Sequence, residues 1–163
     1  MVRIITDSAA DFEPFELEKW NITCIPLKVM LGDREYEENI NLSKDQFFEL
    51  LASTGATPKT SQPSPQILID LFEDAKQAGE EAIYITLSSA LSGTYQTASM
   101  TCEDMDSDKL HVFDSRNATG GQRLLVEYAV RLRDEGKSAR EILDGLESIR
   151  DKIVLFACID TLE

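Results

Sequence analysis

Basic side chains are scarce in this sequence: 16 Lys and Arg stand against 30 Asp and Glu, a formal net charge of −14. Nowhere do three of them follow one another. A carboxylate-rich surface repels the phosphates of nucleic acids and anionic bilayers, so neither is an expected partner. Long apolar runs are missing as well. None approaches the roughly 18 residues of a membrane span, and the opening residues lack the apolar core of a signal peptide. Histidine occurs once, as His111 between Leu110 and Val112, where it reads as a core or sheet-face residue rather than a general base. Without a second histidine no Ser-His-Asp triad can be assembled. Cys24, Cys102 and Cys158 are odd in number, lack CxxC spacing and sit in apolar-periodic segments. They read as reduced core thiols of a cytoplasmic protein. No spacing of His, Cys, Asp and Glu suits a metal. The phosphate-loop and Gly-rich dinucleotide patterns are missing too, so no cofactor is expected.

What is present is a core. Apolar residues make up 42% of 163, enough for one domain that buries roughly two-thirds of its unfolded surface. Runs rich in β-branched residues at Val2–Ile5, Ile83–Leu87, Leu110–Phe113 and Ile153–Ile159 suit strands covered on both faces. Helical periods lie between them. Ser64-Pro65 opens one with an N-cap and a first-turn proline; Ile67, Leu68, Leu71, Phe72 and Ala75 form its face, and Gly79 ends it. A second begins near Ser92 and carries Tyr95, Ala98 and Cys102 inward. A third runs from Thr119 to Glu135 on a stripe of Leu124, Leu125, Tyr128, Ala129 and Leu132, stopping at Gly136. Ser138–Glu141 and Ser43–Gln46 are capping boxes of two more. Between Thr23 and Tyr36 the apolar residues alternate, with a turn at Gly32-Asp33, which predicts a hairpin-like excursion. The fold class is therefore α/β, a mostly parallel sheet flanked by helices with that excursion near the N-terminus. The acidic runs Glu35–Glu38 and Glu103–Asp108 read as solvated faces.

In parallel α/β sheets ligands bind outside the carboxyl ends of the strands. Those ends hold Asp7-Ser8, Ser88-Ser89, Asp114-Ser115 and Asp160-Thr161. Helix capping alone explains such residues too. Two segments exceed what capping needs. Ser88–Tyr95 places Ser88, Ser89, Ser92, Gly93 and Thr94 at a strand-to-helix junction, where unpaired N–H groups and the helix dipole favour an anion. Pro58–Ser64 is a hydroxyl-rich loop just before a helix. Together they predict a pocket for a small anion. Lys59 is the only cation in these segments. A doubly charged phosphate recruits more positive charge than that, whereas a carboxylate is satisfied by two or three hydroxyl and amide donors.

The motifs Thr6-Asp7-Ser8-Ala9-Ala10-Asp11, Pro58-Lys59-Thr60-Ser61-Gln62-Pro63-Ser64, Leu87–Gln96 and Val112-Phe113-Asp114-Ser115 with Gly120-Gly121 occur in the order of the DegV family of bacterial fatty-acid-binding proteins. The chain resembles the N-terminal half of that family throughout. The resemblance implies that residues 1–163 are the N-terminal α/β domain, with the family's C-terminal domain absent from this chain. It further implies a non-catalytic carrier. A long-chain fatty acid has its carboxylate held by Thr60 and Ser92, with Ser61, Gly93 and Thr94 as further donors, and is presented to a separate ATP-dependent fatty-acid kinase. Asp7, Ser8, Ser89, Asp114 and Ser115 would stand behind these donors. A histidine that the family supplies from its second half has no counterpart here. With half a tunnel, weak binding by this chain alone is expected, as is self-association through the surface that the other domain would cover. The alternatives are a small acyl- or phosphoryl-transfer enzyme using Ser92 or Thr60, and a binder of a small phosphorylated metabolite.

Overall fold

The computed structural model describes residues 1–156 and residue 158. Its elements run β1 (Val2–Asp7), a 3-10 turn at Ser8–Ala10, α1 (Pro14–Lys19), β2 (Ile22–Ile25), β3 (Lys28–Leu31), β4 (Arg34–Glu37), α2 (Lys44–Thr54), β5 (Lys59–Ser61), α3 (Pro65–Gln77), β6 (Glu81–Thr86), α4 (Thr94–Asp104), β7 (Leu110–Asp114), α5 (Thr119–Asp134) and α6 (Ala139–Arg150). The main sheet has the order β2-β1-β6-β7 and every pairing in it is parallel. This is the mostly parallel α/β fold that the apolar runs predict.

Alternation along the strands sends successive side chains to opposite faces. Ile4, Ile83, Ile85 and Phe113 pack against Leu125, Val126 and Ala129 of α5 and Ile142 and Leu146 of α6. Ile5, Ala82, Tyr84 and Leu110 pack against Leu68, Phe72 and Ala75 of α3 and Ala98 of α4. The sheet is covered on both sides, which is why its strands read as continuous apolar runs. The chain leaves β1 toward the first face, through Ala10 and Phe12, and leaves β6 toward the second, through α4. Neighbouring strands whose connections part in this way open a crevice at their carboxyl ends.

Beside that crevice stands a second, antiparallel sheet of order β4-β3-β5, covered by α2. The β3–β4 hairpin is the expected excursion, with Gly32 in the turn at φ 61°. The excursion is shorter than expected, however: Thr23–Ile25 belongs to β2 of the main sheet. Pro58–Ser64 is likewise not all loop, since Lys59–Ser61 pairs with Lys28–Met30.

Three further expectations are corrected. Ile153–Phe156 forms no strand; Val154 and Phe156 are largely exposed, and apolar character without a neighbouring ladder does not make one. Residues 157 and 159–163, with Asp160-Thr161, lie outside the described residues. Leu124 is 55% exposed, because the inward stripe of α5 is Gln122, Leu125, Val126, Ala129 and Val130, one flank over. Of the three thiols, Cys158 is exposed and Cys24 and Cys102 are only half-buried. Helix α1, unforeseen in the sequence, is pinned by Arg123, whose Nη1 and Nη2 donate to Glu16 at 3.0 and 2.5 Å and whose guanidinium lies over Phe12.

Candidate functional site

The strand ends carry two kinds of polar group, and burial separates them. Asp7, Ser8 and Ser115 are buried and spent on internal bonds. Asp7 Oδ1 accepts from Ala9 N (3.2 Å) and Gln122 Nε2 (3.0 Å), and Oδ2 accepts from Leu87 N (2.8 Å). Ser8 donates to Glu38 (2.7 Å) and accepts from Leu27 N (2.9 Å), tying β1 to the small sheet. Asp114 accepts from Ser89 N (3.0 Å) and Ser89 Oγ (2.5 Å). Ser115 Oγ donates to Asn117 O at 2.9 Å. These groups fasten the loops. Asp7 and Asp114 both bond to the segment that begins at Leu87, so Leu87–Gly93 is held from two strands at once.

The second kind is accessible. Thr60 and Ser61 are exposed on β5, Ser92 is half-buried and Gly93 exposed. Ser92 Oγ accepts from Thr94 N at 3.2 Å and lies 2.9 Å from Thr94 Oγ1, a local bond that ties the loop to the first residue of α4. Thr94 itself is wholly buried. No acceptor among the described residues takes the Gly93 N–H. The Gln62 side chain rests against Gly93, so the segment that follows β5 and the first turn of α4 meet. Ser64 closes the first turn of α3, with Ile67 N donating to its Oγ at 3.5 Å. The two hydroxyl-rich segments singled out in the sequence are therefore in contact.

Sequence reasoning missed a cleft beside β5. A cleft of about 470 Å³ opens between the small sheet, α2 and the turn after β1. Its apolar walls are Val29, Leu42, Phe47, Phe48 and Pro58, and Thr60 stands among them. Val29 and Thr60 are cross-strand partners, so one face of the β3–β5 pair carries both wall and hydroxyl. The charged members of the lining are Asp11, Glu38 and Lys44. Lys44 Nζ is already bonded to Asp11 (2.8 Å) and Glu13 (2.6 Å), which hold the ammonium above its ordinary range. With two carboxylates against one neutralised ammonium, this end of the cleft repels an anion, and the neutral hydroxyls are the better place for one. Glu38, read from the sequence as solvated, faces this cleft. The signal for α2 was its capping box, with Ser43 accepting from Gln46 N; nothing in the sequence said that Phe47 and Phe48 would face β5.

The DegV model, described as an uncharacterised protein family, matches residues 1–163. The DegV domain-containing protein YteA of Lactococcus lactis is 36% identical over 165 aligned residues, covering 98% of this chain and 57% of its own length. A DegV domain-containing protein of Caldanaerobacter subterraneus is 32% identical, covering 99% and 58%. The chain thus spans a little over half the length of these curated relatives. Among solved structures, DegV of Bacillus subtilis, described as a fatty acid binding protein, superposes with a TM-score of 0.84 at 31% identity, covering 92% of this chain and 54% of that one. A stearic acid-binding protein from Eubacterium ventriosum gives 0.82 at 29% identity, covering 90% and 52%.

Proposed function

This chain belongs to the DegV family, and on that premise we propose that it binds a long-chain fatty acid without transforming it. The observation that carries the proposal is the position of Thr60, a hydroxyl on the wall of a mostly apolar cleft, on the strand whose continuation touches the first turn of α4. The alkyl chain lies along Val29, Leu42, Phe47, Phe48 and Pro58. Its carboxylate is held by Thr60 and Ser92, with Ser61 and the Gly93 N–H completing the donors; Thr94, wholly buried, stands behind Ser92 rather than reaching the ligand. Description of related structures as fatty-acid-binding supports this reading. Each methylene taken from water contributes about 0.8 kcal/mol, against an association cost of about 4–15 kcal/mol. An open cleft covering part of an acyl chain offsets that cost only in part, so this chain alone binds weakly.

Ser92 Oγ meets Thr94 rather than a base, which favours binding over acyl or phosphoryl transfer; covalent labelling of Ser92 by an activated ester would favour the enzyme instead. Presentation of the acid to an ATP-dependent kinase, a cytoplasmic location and self-association through exposed Val154, Leu155 and Phe156 belong to the same proposal. The direct test is substitution. Thr60→Val and Ser92→Ala each remove one hydrogen bond to a charged group, about 1.5–3 kcal/mol or roughly ten- to a hundredfold in affinity. Thr60 is exposed on a strand that valine suits, so the melting temperature should stay nearly unchanged. Unchanged affinity in both variants would overturn the assignment.

A further inference from the structure

Gly93 has ordinary backbone angles, φ −73° and ψ 1°, which any residue adopts. Its lack of a side chain therefore answers a need for space. A Cβ at Gly93 would overlap Gln62 Oε1 and lie 3.5 Å from Gln62 Cδ. The notch is occupied by the far end of that one side chain, whose Oε1, Cδ and Nε2 are the three nearest heavy atoms to the Cβ position. The backbone around Gln62 is fixed on both sides: Thr60 and Ser61 are paired to β3, Pro63 is buried, and Ser64 caps α3. The oxygen of the carboxamide faces Gly93. Its NH2 group, further off, has no acceptor among the described residues, although a primary amide carries two donors.

We propose that Gln62 is a further head-group residue: seated in the Gly93 notch between Thr60 and Ser92, its carboxamide donates to the ligand's carboxylate and selects an acid over a neutral lipid. The proposal rests on the fatty-acid reading above. Gly93 admits the end of the side chain, and β5 with Pro63 fixes the backbone from which this exposed residue extends. Alanine at Gly93 evicts the end of a flexible side chain and leaves backbone and helix alone. It is thus a probe of the seat that spares the fold.

The test is a titration of the chain with decanoate and with decanol, comparing wild type, Thr60→Val, Gln62→Ala, Gly93→Ala and the Gln62→Ala/Gly93→Ala pair, with melting temperature recorded for each. Wild type should prefer decanoate. Gln62→Ala should lose that preference roughly tenfold with decanol affinity unchanged. Gly93→Ala should lose a similar factor in wild type and none in the Gln62→Ala background, the coupling expected of two groups in contact. If wild type binds acid and alcohol alike, or binds neither, the fatty-acid reading falls and this inference with it. If Thr60→Val loses acid preference while Gln62→Ala keeps it, the role of Gln62 alone is overturned. Equal losses for acid and alcohol in Gln62→Ala, or additive losses in the pair, overturn it as well.

Discussion

Asp7 is wholly buried at the end of β1, and burial pushes its carboxyl from 3.8 up to about 6, against hydrogen bonds from Gln122, Leu87, Ala9 and Tyr84 that pull it down. The folded chain then holds a proton that the unfolded chain has released between those values. The protonated form favours the fold, and that advantage, on the order of 3 kcal/mol, is present below about pH 4 and gone above about pH 6. Glu16 behaves oppositely. Its hydrogen bond from Arg123 holds it at about 2, so its contribution is present above the usual carboxylate range and lost as pH falls toward 2. The stability difference between wild type and Asp7→Asn should therefore change between pH 4 and 6, and the Asp7 carboxyl carbon should titrate near 6 by NMR. A midpoint at 4 or below would refute the burial account. From the sequence, Asp7 was legible as a cap, and it does accept from Ala9 N. Its bonds to Leu87 and Gln122, 80 and 115 residues away, were not, because no local pattern encodes a contact across the sheet. Gln122 was hidden for the same reason: an amide on an inward helix face, whose Oε1 has no partner among the described residues.

The two sheets differ in how much core supports them. β1 and β6 are packed on both faces by large buried clusters, whereas β3 relies on Val29, Leu31 and Leu42 under α2. Strands of three or four residues on so small a core open locally before the whole fold does. Amide exchange in β3–β5 should exceed that in β1 and β6 by about tenfold or more, and a bound fatty acid should slow it there. Uniform protection across both sheets would contradict this. The β3–β4 hairpin was legible because alternation and Gly32-Asp33 are local signals. β5 was not: Lys59-Thr60-Ser61 is exposed, has no apolar alternation, and becomes a strand only because β3 offers an edge. Over Ile153–Phe156 the expected strand failed in the opposite sense, with apolar residues present and no paired edge beside them.

At the scale of the molecule, the parallel order of the main sheet follows from apolar runs separated by capped helices, and the crevice follows from that order. The hydroxyls were readable in the sequence because Ser88–Thr94 follows a strand end and Pro58–Ser64 crowds them just before a helix. The cleft was not, since it is made where α2 meets β3 and β5, elements joined only by the fold. Among the described residues no helix is long and apolar enough to cross a membrane, and the apolar surface that matters here is this concave one. In the proposed function the cleft and the α4 turn serve a single ligand. Titrating the isotope-labelled chain with decanoate below its micelle concentration, and following every backbone amide, tests it most directly. The account predicts weak, saturable shifts concentrated at Val29, Leu42, Phe47, Thr60 and Ser92–Thr94, with the α4 turn untouched when decanol replaces decanoate. Saturable shifts centred instead on the separate groove of Leu124, Tyr128, Ile149 and Ile153 would contradict it.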